Sequence, residues 1–195
     1  MNLTLDPKAR GLIFDIDGTL ADTMPTHFHA WQQVAKEYGF EYPEELFYKL
    51  AGMPTGDIVL YINEHQGKNL NPEEIVKAKN KAYLELNGAI RVIKPVFKIV
   101  EENFGKLPMA LGTGEYRDVA MVNLRVTGLD RYFDKIVTAD DISNSKPDPE
   151  TFLKCAELIK ISPESCQVFE DGVAGLEAGR RAGMIVTDVR PFLGE

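Results

Sequence analysis

Residues 11–19 read GLIFDIDGT, an apolar run that ends in two acids, a glycine and a threonine. A short apolar run that breaks into a turn is typical of a buried strand. Residues i and i+2 of extended backbone face the same side, so Asp15 and Asp17 are expected to point together. Two close carboxylates repel each other and favour a neighbouring cation. This string alone also suits a calcium-type loop or a plain polar turn.

Helical spacing replaces strand-like runs from about residue 25 to residue 88. Apolar residues recur three and four positions apart from residue 27 to residue 38, as on one face of a helix. Further helical stretches cover about 55–66 and 72–87, the second with Pro72 in its first turn. The pattern predicts an inserted α-helical cap domain of four-helix type over residues 23–89.

Apolar strands alternate with helices beyond residue 94, which indicates a parallel sheet covered on both faces. The predicted fold class is therefore α/β, with a Rossmann-like core made of residues 1–22 and 90–195. In such sheets ligands bind beyond the carboxyl ends of the strands. Predicted helices span 96–104, 118–127, 149–159 and 174–182, and each precedes a predicted strand, at 108–112, 135–138, 167–170 and 185–188.

Polar groups follow each of the main predicted strands. Thr113 and Gly114 offer a hydroxyl and backbone N–H groups to a phosphate, although a plain glycine turn reads the same way. Lys146 precedes a proline that restricts its backbone, which suits a lysine held against a phosphate and a carboxylate. Glu170 and Asp171 are costly beside a core unless they are paired or bind a metal such as Mg²⁺. Together these groups supply what phosphoryl transfer requires.

Composition disfavours nucleic-acid binding, membrane binding and zinc binding. The chain has 195 residues, with 22 basic against 30 acidic side chains and a net charge of −8, which disfavours non-specific binding to nucleic acid or to an anionic membrane. Two cysteines without a Cys-x-x-Cys pair, and a start without signal-peptide character, predict reduced thiols and a cytoplasmic location. Three scattered histidines disfavour a zinc site. A monomer is the default expectation.

On these motifs the chain resembles the haloacid dehalogenase superfamily of phosphatases and mutases over nearly its whole length. The helical block resembles the cap of the β-phosphoglucomutase-like branch. Residues 52–55 and 146–156 carry a closer likeness to small bacterial sugar-phosphate phosphatases, including those that hydrolyse fructose 1-phosphate. The four family motifs correspond in order to Asp15-x-Asp17-Gly-Thr, Thr113, Lys146 and Glu170-Asp171.

The resemblance implies a role for each motif residue. Asp15 would attack phosphorus, and Asp17 would protonate the leaving oxygen and then activate water. These roles require that Asp17 hold a proton while Asp15 does not, and hence two different environments. Thr113 and Lys146 would hold the phosphoryl oxygens. Mg²⁺ would be bound by Asp15, the backbone carbonyl of Asp17 and Asp171, with Glu170 in or near its outer shell.

The cap decides between phosphatase and mutase in this branch. His27, Trp31 and Lys79 match cap positions of the family, whereas Ala51 and Thr55 stand where the mutases carry basic residues. We therefore predict a magnesium-dependent phosphatase acting on fructose 1-phosphate or 6-phosphogluconate, with β-phosphoglucomutase as the alternative. His27, Trp31, Thr55 and Lys79 are predicted to contact the sugar, although Trp31 would equally suit the cap core and Lys79 a solvated surface.

One residue departs from the family, and two other classes of protein share parts of the pattern. Glu115 places an acid beside the phosphate loop, where relatives often carry a small polar residue. A phospho-accepting signalling receiver also uses Asp, Thr, Lys and Mg²⁺, but the acidic pair after Lys146 and the long helical insertion disfavour it. A calcium-binding structural protein is disfavoured because the acids are spread along the chain rather than within one loop.

Overall fold

Five parallel strands form one sheet in the order β3-β2-β1-β4-β5. The computed structural model of the chain describes residues 3–86 and 90–193. From β1 the chain leads to β2 on one side and later returns to β4 on the other, so the carboxyl end of β1 lies at the switch point where ligands bind in such sheets. The strands are β1 Gly11–Phe14, β2 Met109–Gly112, β3 Ile136–Val137, β4 Cys166–Glu170 and β5 Ile185–Asp188.

Helices occupy both faces of the sheet and make up most of the inserted segment that the structure describes. Within the described residues, no helix is long and apolar enough to cross a membrane. The predicted alternation of strands and helices is confirmed, with helix starts shifted by only one or two residues. The helices are α1 Met24–Tyr38, α2 Glu44–Lys49, α3 Thr55–Gln66, α4 Pro72–Leu86, α5 Lys94–Asn103, α6 Arg117–Thr127, α7 Glu150–Ile159 and α8 Val173–Arg181.

The side chains of β1 alternate between two apolar clusters, one on each face of the sheet. Leu12 and Phe14 belong to a cluster that contains the buried residues of α5 and α6. Ile13 belongs to the opposite cluster, with the buried apolar residues of α7 and Ala178 of α8. All four residues of β1 are buried, because a central parallel strand is covered from both sides. The acids that follow β1 are therefore anchored to the buried centre of the sheet.

The helices of the insertion pack on one another and share the first of these clusters. α1 and α3 both pack against α4, and Trp31, Val59 and Ile75 lie in the same cluster as Phe14. The short helix α2 was not predicted, because six residues give too little periodicity to recognise. The boundaries 23–89 stay a prediction, and residues 87–89 lie outside the described part of the chain.

Candidate active site

Lys146 connects the ends of three strands through one buried ammonium group. Its Nζ donates hydrogen bonds of 2.7 Å to Asp15 Oδ1 and 2.7 Å to Glu170 Oε2. A third bond, of 3.2 Å, reaches the backbone carbonyl of Gly112. Burial alone would lower the pKa of Lys146, but the Asp15 and Glu170 carboxylates outweigh it and raise that pKa above its usual value. Lys146 therefore stays charged beside Asp15.

Three carboxylates gather at the carboxyl ends of β1 and β4. Asp15, Glu170 and Asp171 each offer an oxygen, and these atoms lie within 4.8 Å of one another. Asp171 Oδ1 also accepts a 2.6 Å hydrogen bond from Thr19 Oγ1. Burial and the neighbouring Glu170 charge raise the pKa of Asp15 well above its usual range and that of Asp171 to about 7.

This acidic group fits a divalent cation. Three carboxylates gather beside the single ammonium of Lys146, so their ionised forms would together carry more negative charge than one lysine balances in a buried place. Hard oxygen ligands of this kind suit Mg²⁺. Glu170 already uses both oxygens, one for Lys146 and one for the backbone N–H groups of Asp171 and Gly172. Asp15 and Asp171 are consequently the better direct ligands, with Glu170 supporting them.

The Asp17 carboxylate faces a different set of partners. Its Oδ1 lies 3.2 Å from His27 Nε2 and accepts a 3.1 Å hydrogen bond from Asn123 Nδ2. Its Oδ2 accepts a 3.2 Å hydrogen bond from Thr113 Oγ1. Burial alone would raise the pKa of Asp17, but the His27 hydrogen bond and charge, with a smaller contribution from Thr23, lower it. Hydrogen-bond donors thus surround Asp17, whereas Asp15 lies between the Lys146 ammonium and the acids Glu170 and Asp171.

The two acids therefore have the different environments that we expected, but with the opposite pKa order. Protein groups alone favour the protonated form of Asp15 and the ionised form of Asp17. The implied roles need the reverse. A divalent cation beside Asp15 favours its ionised form, and the dianion of a phosphate ester near Asp17 favours a proton there. The required order thus depends on ligands as well as on the protein.

The loop after β2 joins the core site to the cap. Thr113 Oγ1, which donates to Asp17, also accepts a 3.0 Å hydrogen bond from the backbone N–H of Glu115. A Cβ added at Gly114 would lie 2.7 Å from the carbonyl oxygen of Gly52, a distance that no real Cβ contact allows. Glycine at position 114 is therefore needed for the cap to approach the loop.

The cap residues predicted from the sequence all line one pocket together with the acids of the core. His27, Trp31, Thr55 and Lys79 are nevertheless at most 5% exposed. Trp31 packs against Tyr42 with ring centroids 4.6 Å apart, so it contributes to the cap core as well as to the pocket wall. Lys79 is not a solvated surface charge, because the cap buries it.

Two buried residues next to Asp17 were missed. Asn123 on α6 donates to Asp17, and Tyr83 on α4 donates a 2.7 Å hydrogen bond to Asn123 Oδ1. Tyr83 also stacks on His27 with ring centroids 4.2 Å apart. One signal was present in the sequence: Asn123 is a polar residue within the apolar stripe of α6, and that stripe is buried.

Every predicted site residue thus lies at the carboxyl end of the sheet or on the cap directly above it. Lys146 reaches the group by its contact with Asp15, and the others line the pocket itself. The pocket-lining members are Asp15, Asp17, His27, Trp31, Thr55, Lys79, Thr113, Gly114, Glu170 and Asp171.

Comparison with known proteins gives three findings. The profile of the haloacid dehalogenase-like hydrolases matches residues 12–189. The fructose-1-phosphate phosphatase YqaB of Escherichia coli (strain K12) is 40% identical over 180 residues, covering 92% of this chain and 96% of that protein. The beta-phosphoglucomutase of Bacillus subtilis (strain 168) is 27% identical over 200 residues, covering 95% and 86%.

A solved structure agrees in fold. The crystal structure of a hydrolase from Pseudomonas syringae superposes with a TM-score of 0.85 at 26% identity, over 92% of this chain and 84% of that one. The match includes both the sheet and most of the helical insertion, since so little of the chain is left out. The predicted α/β fold with an inserted helical cap is confirmed.

Proposed function

The chain belongs to the haloacid dehalogenase-like hydrolase family, and from that premise we propose that it hydrolyses small sugar phosphates of the fructose 1-phosphate or 6-phosphogluconate type with Mg²⁺. Its predicted enzyme class, phosphoric monoester hydrolase, is confirmed. The observation that carries the proposal is the contact of Lys146 with Asp15 and Glu170, which brings distant segments to one point.

Asp15 is the proposed nucleophile. Its carboxylate oxygen attacks phosphorus, a phosphorus–oxygen bond forms to Asp15, and the bond from phosphorus to the sugar oxygen breaks. Lys146 remains charged at 2.7 Å from Asp15 Oδ1, where it stabilises the negative charge that spreads over the phosphoryl oxygens. Mg²⁺ bound by Asp15, the Asp17 backbone carbonyl and Asp171 would supply further positive charge for the same purpose.

Asp17 is the proposed acid and base. It gives its proton to the departing sugar oxygen and then takes a proton from the water that attacks the phospho-aspartate. That second attack releases inorganic phosphate and restores Asp15. His27, Asn123 and Thr113 hold the Asp17 carboxylate by hydrogen bonds, so the proton is delivered from a defined position. Thr113 and the Gly114 backbone N–H are proposed to bind phosphoryl oxygens.

The proposal is tested by phosphate release with Mg²⁺ from fructose 1-phosphate. The Asp15→Asn variant keeps the side-chain volume but offers no nucleophile, so turnover should fall by at least about 10³-fold while the unfolding transition is retained. Turnover within about tenfold of the parent protein would remove Asp15 from this role.

A mutase is the second candidate, since a beta-phosphoglucomutase is among the relatives. A mutase must hold the second phosphate of a bisphosphate, yet Ala51 and Thr55 bring no charge to the pocket, and the Lys79 ammonium pairs with Glu115. Hydrolysis is therefore favoured. Conversion of β-glucose 1-phosphate to glucose 6-phosphate without free phosphate would establish the mutase instead.

We further propose that residues 1–22 and 90–195 act as the core and residues 23–89 as a cap that opens for substrate and closes against water. The enzyme is proposed to work as a cytoplasmic monomer without nucleic-acid or membrane partners. Sedimentation at micromolar concentration tests the oligomeric state, and a mass of two chains would contradict the proposed monomer.

A further inference from the structure

Glu115 places a carboxylate in the pocket beside the proposed phosphate loop. Its Oε1 accepts a 2.8 Å hydrogen bond from Lys79 Nζ and lies 3.8 Å from His27 Nδ1. Its Oε2 is buried and has no hydrogen-bond partner among the described residues. A buried carboxylate oxygen without a donor is costly, so Glu115, which lines the pocket, would gain from a ligand hydroxyl that comes within reach of Oε2.

The pairing of Glu115 with Lys79 removes the positive charge that a second anionic group would need. Among the described residues that line the pocket, Lys79 is the one lysine or arginine, and its ammonium already faces Glu115. His27 is directed at Asp17. Trp31, Met53 and Thr55 also line the pocket and carry no charge.

Two requirements on the substrate follow from these contacts. An anionic group at this end would meet the Glu115 carboxylate without a free cation to balance it, and like charges placed together disfavour a ligand. A hydroxyl group would donate to Oε2 and be accepted. Sites that hydrogen-bond a ligand hydroxyl discriminate strongly against ligands that lack it, because the buried acceptor is then left unpaired.

We propose that Glu115 determines specificity by selecting monophosphates whose remaining part is polyhydroxylated and uncharged, and by rejecting carboxylates and second phosphates. This inference rests on the proposed function and narrows it. Fructose 1-phosphate is accepted, whereas 6-phosphogluconate and fructose 1,6-bisphosphate are poor substrates. Glu115 binds and selects the substrate and takes no part in bond making.

The test compares kcat/KM for fructose 1-phosphate, fructose 1,6-bisphosphate and 6-phosphogluconate, with para-nitrophenyl phosphate as a substrate that carries neither hydroxyls nor a second anion. Wild-type enzyme should favour fructose 1-phosphate over both anionic sugars by at least about tenfold. Glu115→Gln keeps an acceptor for Lys79 but removes the charge, and it should reduce this preference by about tenfold.

A matched control removes the same charge far from the pocket. Glu164 is exposed and precedes β4 at the opposite end of the sheet, so Glu164→Gln should leave every ratio unchanged. A merely structural role of Glu115 would lower turnover of all four substrates alike. Phosphate release with an unchanged preference in Glu115→Gln would overturn this inference alone. No release from any of the four substrates by wild-type enzyme would overturn the proposed hydrolase function and this inference with it.

Discussion

At the scale of single residues, the Lys146 ammonium compensates the negative charge of the neighbouring carboxylates. It is 2% exposed and contacts two carboxylates, and removing one partner of a buried ion pair leaves an uncompensated charge. Lys146→Met should therefore lower the unfolding free energy by about 3 kcal/mol or more and abolish turnover. Urea unfolding and phosphate release measure the two effects, and a variant of unchanged stability would contradict the assigned contacts.

Asn123 extends this reasoning to the proposed acid and base. Asn123→Leu removes a donor to Asp17 and leaves the Tyr83 hydroxyl without its acceptor. A loss of about 1–3 kcal/mol of stability is expected, together with a fall in kcat. Tyr83→Phe deletes the hydroxyl that Asn123→Leu leaves without an acceptor. Tyr83→Phe should therefore lower the unfolding free energy less in the Asn123→Leu background than in the parent protein. Strict additivity in urea unfolding would show that the two residues do not interact.

The raised pKa values of Asp15 and Asp171 predict how stability depends on pH. A folded-state pKa near 7 for Asp171, against a usual value of 3.8, means that the folded protein binds more protons than the unfolded chain between these limits. In EDTA, protonation of Asp15 and Asp171 stabilises the folded protein. This contribution to the free energy of unfolding is complete below about pH 4 and is lost as the pH rises through 7.

The measurement is urea unfolding across this pH window with EDTA and with Mg²⁺. Stability in EDTA should fall from about pH 5.5 to about pH 7.5, and the stabilisation by Mg²⁺ should increase over the same interval, because the metal binds ionised carboxylates. Asp171→Asn should flatten both trends. Stability in EDTA that rises steadily with pH would contradict the raised values.

At the scale of elements, the first turn of α8 is fitted to the acid on the neighbouring strand. A Cβ at Gly175 would overlap the Glu170 carboxylate, which Lys146 holds in place. In a helix interior, alanine is usually more favourable than glycine by about 1 kcal/mol. Here the overlap with the Glu170 carboxylate outweighs that gain. Gly175→Ala should lower both the melting temperature and kcat.

Gly56 supplies the matched control for that substitution. It is also a helical glycine, in α3, and an added Cβ there would meet only the Tyr116 hydroxyl, at an ordinary 3.7 Å. Gly56→Ala should therefore leave the melting temperature unchanged or raise it. Equal losses in the two variants would show that helix context, rather than contact with Glu170, explains the result.

Elements and strand ends were predictable from the sequence because their signals are local. The run before Asp15 and the acids at the end of β4 are contiguous stretches, and parallel strands necessarily bring their carboxyl ends to one edge. The pairing of Lys79 with Glu115 was not predictable, since it joins a cap helix to a core loop. The same holds for the turn of Asp17 toward Asn123, which depends on how α6 packs rather than on any spacing along the chain.

At the scale of the whole molecule, the cap is closed on the core by direct contacts. Ser145 Oγ, next to Lys146, donates a 2.6 Å hydrogen bond to Asp57 Oδ2 at the start of α3. Because this bond exists only when cap and core meet, it favours the closed arrangement. Asp57→Ala and Ser145→Ala should each lower kcat/KM for fructose 1-phosphate by several-fold, which corresponds to the roughly 1 kcal/mol that an ordinary intramolecular hydrogen bond contributes.

The double variant separates this contact from unrelated effects. If the bond is what matters, Asp57→Ala combined with Ser145→Ala should cost no more than either single change, since the interaction is already lost. Stability should change little, because both residues lie on the surface between cap and core. Multiplicative effects on kcat/KM would indicate two independent roles.

The most direct test of the account is the detection of a phosphoryl group on Asp15 during turnover. Enzyme mixed with fructose 1-phosphate and Mg²⁺, quenched in acid and digested, should yield the peptide containing residues 11–19 with an added phosphoryl group on Asp15, and Asp15→Asn should yield none. Steady phosphate release without a phosphorylated form of this peptide, or with the group on another residue, would contradict it.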